Sequence, residues 1–219
     1  YHIINNTMSK KTEIYENTFA YYLDIIQNDS NHKHYRKFKW SNKNTILPKD
    51  ITRRCGDKYY FDCIVCNHEF ITSPDKIGGG YACPYCCIPT QKLCDDENCD
   101  YCFAKSFAGH KKVDMWLTEK NDKKPRDVLK GCNKKYWFKC QIFTHEFDCV
   151  VSSLKEDDKD TCPFCCIPTK KLCNNDDCKL CLDKSFQNHE KHKYWSDKNK
   201  ETPRQVLMNS NEKIGRAHV

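Results

Sequence analysis

The sequence predicts a series of small α+β modules held together by metal ions instead of one large apolar core, and three observations predict it. Only 38% of the residues are hydrophobic, even with cysteine counted, and 31% are charged. Small units that bury so little apolar surface need a staple, and eighteen cysteines are available for that purpose. The third observation is that the cysteine pattern occurs twice.

Written out, KYYFDCIVCNHEF (58–70) lies over KKYWFKCQIFTHEF (134–147), and ACPYCCIPTQKLCDDENCDYCFAKSFAGH (82–110) over TCPFCCIPTKKLCNNDDCKLCLDKSFQNH (161–189). Cys63 and Cys140 are 77 positions apart, whereas the pairs Cys83/Cys162, Cys102/Cys181 and His110/His189 are 79 apart. A further marker, WSNKNTILPKDI, WLTEKNDKKPRDV and WSDKNKETPRQV, begins at Trp40, Trp116 and Trp195. An internal period of this kind is the mark of an array. The expected organisation is an N-terminal segment (1–39) without ligand cysteines, one module at 40–115, a second at 116–194, and a truncated third at 195–219. The third copy breaks off after Asn211-Glu212-Lys213, and Ile214–Val219 does not continue it, so the chain reads as a piece of a longer array.

Locally, Tyr59-Tyr60-Phe61 and Tyr136-Trp137-Phe138 read as strands, with hairpin partners at 68–73 and 145–152. Pro48, Pro125 and Pro203 suit the first turn of short helices, with Thr202 as an N-cap. The Lys-Ser-Phe stretches (105–107 and 184–186) read as short helices closed at Gly109 and Asn188 by a left-handed residue. Phe19–Ile26 is apolar enough to form a helix that packs on the first module.

CxxC pairs followed at fixed distance by a second CxxC pair are a zinc pattern, and secreted disulfide scaffolds seldom repeat it. That reading places the chain in a reducing, intracellular compartment, the nucleus or a viral factory among them. No stretch reads as a signal peptide or membrane span. Tetrahedral zinc takes four nitrogen or sulfur ligands. In the first copy Cys63, Cys66, Cys83 and Cys86 form the obvious set. The second copy has Phe143 in place of Cys66, while His68 is matched by His145. The shared set is therefore Cys63, His68, Cys83, Cys86 and Cys140, His145, Cys162, Cys165, with Cys66 the alternative to His68. A second set repeats without change of spacing: Cys94, Cys99, Cys102 and Cys173, Cys178, Cys181. Its fourth ligand is His110 (His189) or Cys87 (Cys166), and the histidine is favoured because adjacent cysteines rarely serve two tetrahedral sites. Four zinc ions per chain follow, two per repeat. Cys55, Cys132 and Cys149 align with Ser210 or Thr72 and read as small buried fillers. Cys83-Pro84-Tyr85-Cys86 matches a redox dithiol, but lacks the βαβ setting that chemistry uses.

The formal net charge is +7. Four zinc ions, each with three thiolates, reduce it to about +3. Lys134, Lys135 and Lys139, interleaved with aromatic residues, suit phosphate contact with base stacking or an ordinary half-buried hairpin. His32–Lys39 is the densest basic run. Trp40, Trp116 and Trp195 read as core plugs before base-stacking platforms.

These motifs resemble the zinc-ribbon, or treble-clef, repeat proteins of large DNA viruses, with relatives in fungi, plants and bacteria. The resemblance rests on W-x-x-K-N, Tyr-Trp-Phe-x-Cys-x4-His-Glu-Phe, Cys-Pro-[YF]-Cys and Lys-Leu-Cys-x4-Cys-x2-Cys with Lys-Ser-Phe-x-x-His, across residues 34–213. It implies tandem zinc-ribbon or treble-clef-like modules with short β-hairpins and short helices. It also implies zinc at Cys63, His68, Cys83, Cys86 and their counterparts, and that Cys87 is dispensable, which supports His110. Some similar proteins carry such arrays beside a very-short-patch-repair-like endonuclease domain. The expected function is a structural zinc array that binds nucleic acid, DNA or RNA, through basic hairpins and linkers, with no catalysis, membrane or small-molecule substrate. The alternatives are a protein-interaction scaffold and the accessory arm of a nuclease. The ligands are expected to run consecutively, which fits poorly with the interleaved order of a RING ubiquitin ligase.

Overall fold

The computed structural model describes residues 15–35, 37–156 and 161–211. Arg36 of the basic run, and the 214–219 tail, lie outside the described residues. The chain divides into two compact units between Lys105 and Ser106.

In the first unit, helix α1 (Phe19–Asn28) begins at Thr18, whose hydroxyl accepts the N–H of Tyr21. Its one-sided spacing of apolar residues buries Phe19, Tyr22 and Ile26. Strands β1 (Phe38–Trp40), β2 (Tyr59–Cys63) and β3 (Glu69–Thr72) form an antiparallel sheet in the order β1-β2-β3, with Phe38 opposite Cys63 and Phe61 opposite Phe70. Alternation along β2 sends Phe61 and Cys63 inward and Tyr60 outward. Short helices α2 (Pro74–Gly78) and α3 (Asp100–Lys105) follow. The core is a small aromatic cluster of Phe19, Tyr22, Phe38, Phe61 and Phe70.

The second unit matches this plan. Strands β4 (Lys135–Lys139) and β5 (Glu146–Val150) form a hairpin with Phe138 opposite Phe147. The counterpart of β1 is reduced to an antiparallel bridge between Trp116 and Phe138. Helix α4 (Lys179–Asp183) corresponds to α3. Phe107, Trp116, Tyr136, Phe138 and Phe147 make the core.

The break at Lys105 lies ten residues ahead of the Trp116 boundary expected from the sequence. The reason is that Ser106-Phe107 belongs to the core that follows it. Ser106 bridges Leu129, Phe107 donates its N–H to Val128 O at 2.7 Å, and its ring meets Trp116 with centroids 5.2 Å apart. Thr18-Phe19 does the same through Thr52, Ile51 and Trp40, and Ser185-Phe186 through Leu207, Val206 and Trp195. The Lys-Ser-Phe stretches are therefore not helices. Ser106 and Ser185 are extended, and a 3-10 turn follows each. Among the described residues positive φ occurs at Gly80, Asn67 and Thr144, and not at Gly109 or Asn188. Pro48 and Pro125 open short helices, as expected, and both are of the 3-10 type.

The residues of the W-x-x-K-N marker hold the hairpin from outside. Asn44 accepts the N–H of Tyr60 at 2.9 Å and donates to its carbonyl at 2.8 Å. Lys43 pairs with Glu69 at 2.9 Å, and Lys120 with Glu146 at 2.6 Å. Trp116 is buried and Trp40 and Trp195 half-buried against aromatic neighbours, which makes them core plugs.

Candidate metal centres

Four groups of side chains bring their ligand atoms within 4.8 Å of one another. They are Cys63, Cys66, Cys83 and Cys86; His68, Cys94, Cys99 and Cys102; Cys140, His145, Cys162 and Cys165; and His145, Cys173, Cys178 and Cys181.

The first group is built by two tight turns. Cys63 ends β2, and its N–H closes the knuckle by donating to His68 O at 2.8 Å; Cys140 and His145 O do the same at 2.7 Å. The turn needs a left-handed residue just before the histidine, at Asn67 (φ 56°) and Thr144 (φ 54°). Cys83 and Cys86 lie on a second turn, in which Cys86 and Cys87 donate their N–H groups to Cys83 O. Cys162 and Cys165 lie on its equivalent.

The second group gathers around the start of α3. Cys94 lies in the preceding loop and donates its N–H to Cys102 Sγ at 3.4 Å; Cys102 donates to Cys99 Sγ at 3.5 Å. Cys173 and Cys181 repeat the first of these contacts at 3.4 Å. Hydrogen bonds to sulfur favour the thiolate, the form that binds metal. Asn98 and Asp177 shape the loop by donating N–H groups to Asp96 and Asn175 side chains, both at 3.0 Å.

Separations within the groups are those of a tetrahedron around zinc. Zinc–sulfur bonds of about 2.3 Å and zinc–nitrogen bonds of about 2.0 Å put neighbouring ligand atoms roughly 3.5–3.8 Å apart. Cys63 and Cys86 sulfurs are 3.5 Å apart, Cys66 and Cys83 3.6 Å, and Cys140 and Cys165 3.7 Å. His68 Nε2 lies 3.3 Å from Cys99 Sγ and 3.4 Å from Cys102 Sγ. All eighteen cysteines are free thiols. A hydrogen bond from the Cys83 thiol pulls Cys63 down to about 5, while burial pushes Cys86, Cys102 and Cys181 up to about 12. Only a cation lets all of these buried sulfurs be thiolates at once.

The grouping differs from the one read from the sequence in two places. His68 was expected with Cys63, Cys83 and Cys86, but Cys66 completes that set and His68 turns to Cys99 and Cys102. The ring follows the left-handed Asn67 away from the knuckle and stacks on Tyr85, with centroids 4.4 Å apart. The second difference concerns His110 and His189, which join neither set. His110 Nδ1 accepts the N–H of Lys112 at 3.0 Å, leaving Nε2–H to donate to Leu154 O at 3.0 Å. The ring stacks on Phe107, centroids 4.8 Å apart. His189 stacks on Phe186 and accepts the N–H of Lys191 in the same way. Both histidines stack on the phenylalanine that follows Lys105-Ser106 or Lys184-Ser185, and neither belongs to any of the four groups. Cys140, His145, Cys162 and Cys165 come together as one group, and Cys173, Cys178 and Cys181 meet His145 instead of His189.

Cys87 and Cys166 stand outside all four groups. Their thiols donate to the carbonyls of Pro89 at 3.2 Å and Pro168 at 3.3 Å. Cys55 contacts Tyr59 and Asp57, Cys132 accepts the N–H of Lys134, and burial raises Cys149 to about 11. No spacing signal separates these roles, since His68 and His145 stand at the same Cys-x4-His distance whichever set they serve.

Arg204 donates to Asn175 O at 2.7 Å, and its guanidinium lies 3.9 Å from Cys173 Sγ. No helix of the described residues is long and apolar enough to cross a membrane.

Comparison with known proteins agrees with the metal chemistry. The chain is similar to an uncharacterised protein, R635, of Acanthamoeba polyphaga mimivirus, 31% identical over 179 residues, which are 80% of this chain and 42% of the relative. The chain thus spans less than half the length of that relative. No solved structure matches. Residues 113–168, which hold the β4-β5 hairpin and the Cys140, His145, Cys162 and Cys165 group, match the family model described as a probable treble clef zinc finger domain.

Proposed function

We propose that this chain is a tandem array of structural zinc modules that binds single-stranded nucleic acid. The observation that carries the reading is an exposed aromatic ring with a lysine over it, at equivalent places in the two units. Tyr60, 37% exposed, has the Lys43 ammonium 5.8 Å from its ring centre; Trp137, 38% exposed, has Lys120 at 4.6 Å. A ring that projects from a rigid hairpin beside a cation is a stacking platform for a base, with each stacked base contributing about 1–3 kcal/mol. Phosphate contact is the lesser part. Lys135 pairs with Asp148 at 3.0 Å and Lys120 with Glu146, so the acidic strand β5 balances the basic strand β4. With thirteen cysteine ligands the net charge falls to about +2. Each metal site is read as closed by four protein ligands, which leaves no open position for catalysis.

The test is titration of the zinc-loaded chain with a single-stranded oligonucleotide at low salt, followed by tryptophan fluorescence. Trp137→Ala and Tyr60→Ala should each weaken binding by about 5- to 150-fold. No binding at low salt would reject the reading. A second reading, docking of a protein, is favoured by Ile88 (97% exposed) and Ile167 (85% exposed), again at equivalent places. Ile88→Ser with Ile167→Ser should leave oligonucleotide binding intact if the first reading holds. An array of this kind would also serve as the nucleic-acid arm of a longer protein with a nuclease domain.

A further inference from the structure

In the second unit one histidine faces two thiol clusters at once. His145 Nδ1 lies 3.3 Å from Cys165 Sγ and 3.8 Å from Cys162 Sγ, while Nε2 lies 3.2 Å from Cys178 Sγ and 3.6 Å from Cys181 Sγ. The ring is buried, 6% exposed, and lies against Phe164 with centroids 4.9 Å apart. Each nitrogen thus stands at a ligand-to-ligand distance from a different set of three cysteines. Among the described residues neither set has another fourth ligand within reach.

The first unit shows why. There Cys66 completes a four-sulfur set, and His68 is needed only by the other one. His68 Nδ1 is buried and makes no hydrogen bond among the described residues. In the second unit Phe143 occupies the Cys66 position and brings no ligand. The vacancy is adjacent to the nitrogen that the first unit leaves idle.

We propose that His145 bridges two zinc ions as an imidazolate, making the second unit a binuclear centre, while the first unit holds two separate mononuclear sites. This rests on the zinc reading of the four groups and not on nucleic-acid binding. An imidazole that gives both nitrogens to metal has lost its ring N–H proton to solvent and carries one negative charge. That charge replaces the one lost with the Cys66 thiolate. Seven anionic ligands then surround two zinc ions in each unit, leaving the ions and their ligands at a net charge of about −3 in both. The electrostatic load on the fold is thereby the same in both, although the ligand sets differ.

The experiment is nitrogen NMR on the labelled full chain reconstituted with an NMR-active cadmium isotope, alongside metal quantification. Four metal ions per chain are expected, with both ring nitrogens of His145 coupled to cadmium, each to a different ion, and no ring N–H. His68 should couple through Nε2 alone and retain its Nδ1 proton. Phe143→Cys should keep four metals yet abolish the Nδ1 coupling of His145 and restore its ring proton, because a fourth thiolate displaces the nitrogen. Coupling of His145 to a single ion would overturn the bridge, as would three metals per chain or two couplings that survive Phe143→Cys. A folded chain that retains no metal would instead overturn the zinc reading beneath it.

Discussion

The side chain of Asn121 pairs with the backbone of Trp137 as a strand would, accepting its N–H at 2.8 Å and donating to its carbonyl at 2.9 Å. It supplies one rung of sheet on the edge where the counterpart of β1 has shrunk to a bridge. Asn121→Ala removes both bonds and should cost about 1–3 kcal/mol in urea unfolding, with the zinc content unchanged. An effect confined to zinc loss would mean that the rung does not hold the hairpin.

Zinc counts separate the two histidine classes. His68→Ala should lower the content from four towards three, because it strips the set of Cys94, Cys99 and Cys102 of its nitrogen. His110→Ala should leave the count at four. It still costs stability, about 1–3 kcal/mol, because Leu154 O loses its buried donor. The measurement is metal per chain after gel filtration, paired with denaturant unfolding.

Thr144 holds a left-handed backbone conformation, φ 54°, that a β-branched residue adopts at a cost. Asn67, in the equivalent place, adopts it more readily. Thr144→Gly should raise stability by about 1 kcal/mol, read as a higher urea midpoint at unchanged slope. A lower midpoint would show that the threonine side chain contributes more than its backbone strain costs.

His34 gives the fold an acid-sensitive point that belongs to none of the four ligand groups. Its ring is 3% exposed, with Nδ1 3.2 Å from the Tyr22 hydroxyl, and burial, reinforced by Lys33 and His32, pushes its pKa down from 6.5 to about 4. The folded state therefore binds fewer protons than the unfolded one between those values. The stabilisation is full above 6.5 and is lost as pH falls towards 4. At about pH 5.5, with zinc in excess, the chain should be about 1 kcal/mol less stable than at neutral pH, and His34→Gln should remove that difference. An unchanged pH dependence in the variant would assign it to other groups.

Much of the fold was legible because its signals are local. The aromatic strands show period-two alternation, and Phe19–Ile26 shows the apolar spacing of a packed helix. The CxxC turns announce themselves by spacing. What the sequence could not show is which way a side chain faces after a turn. His68 and His110 are both repeated histidines at fixed distance from cysteines, and nothing in spacing ranks one above the other. The left-handed residue at Asn67 sends the first towards the downstream thiols. The extended Ser106 carries the second into another core. Comparing copies also misled at Cys66. Its replacement by Phe143 suggested that the cysteine was dispensable, when the histidine beside it has a second nitrogen to offer.

The order of ligands along the chain is interleaved, contrary to the consecutive order expected: His68 belongs with Cys94, Cys99 and Cys102, yet it precedes Cys83 and Cys86 of the other set. A protease that nicks the first unit anywhere from residue 69 to 93 would therefore leave the two pieces tied by at least one ion whose ligands lie on both sides of the cut. The smallest fragment able to retain one complete set, Cys63 to Cys86, carries His68 of the other set with it. Severed chains should migrate as intact until a chelator is added, and then fall apart.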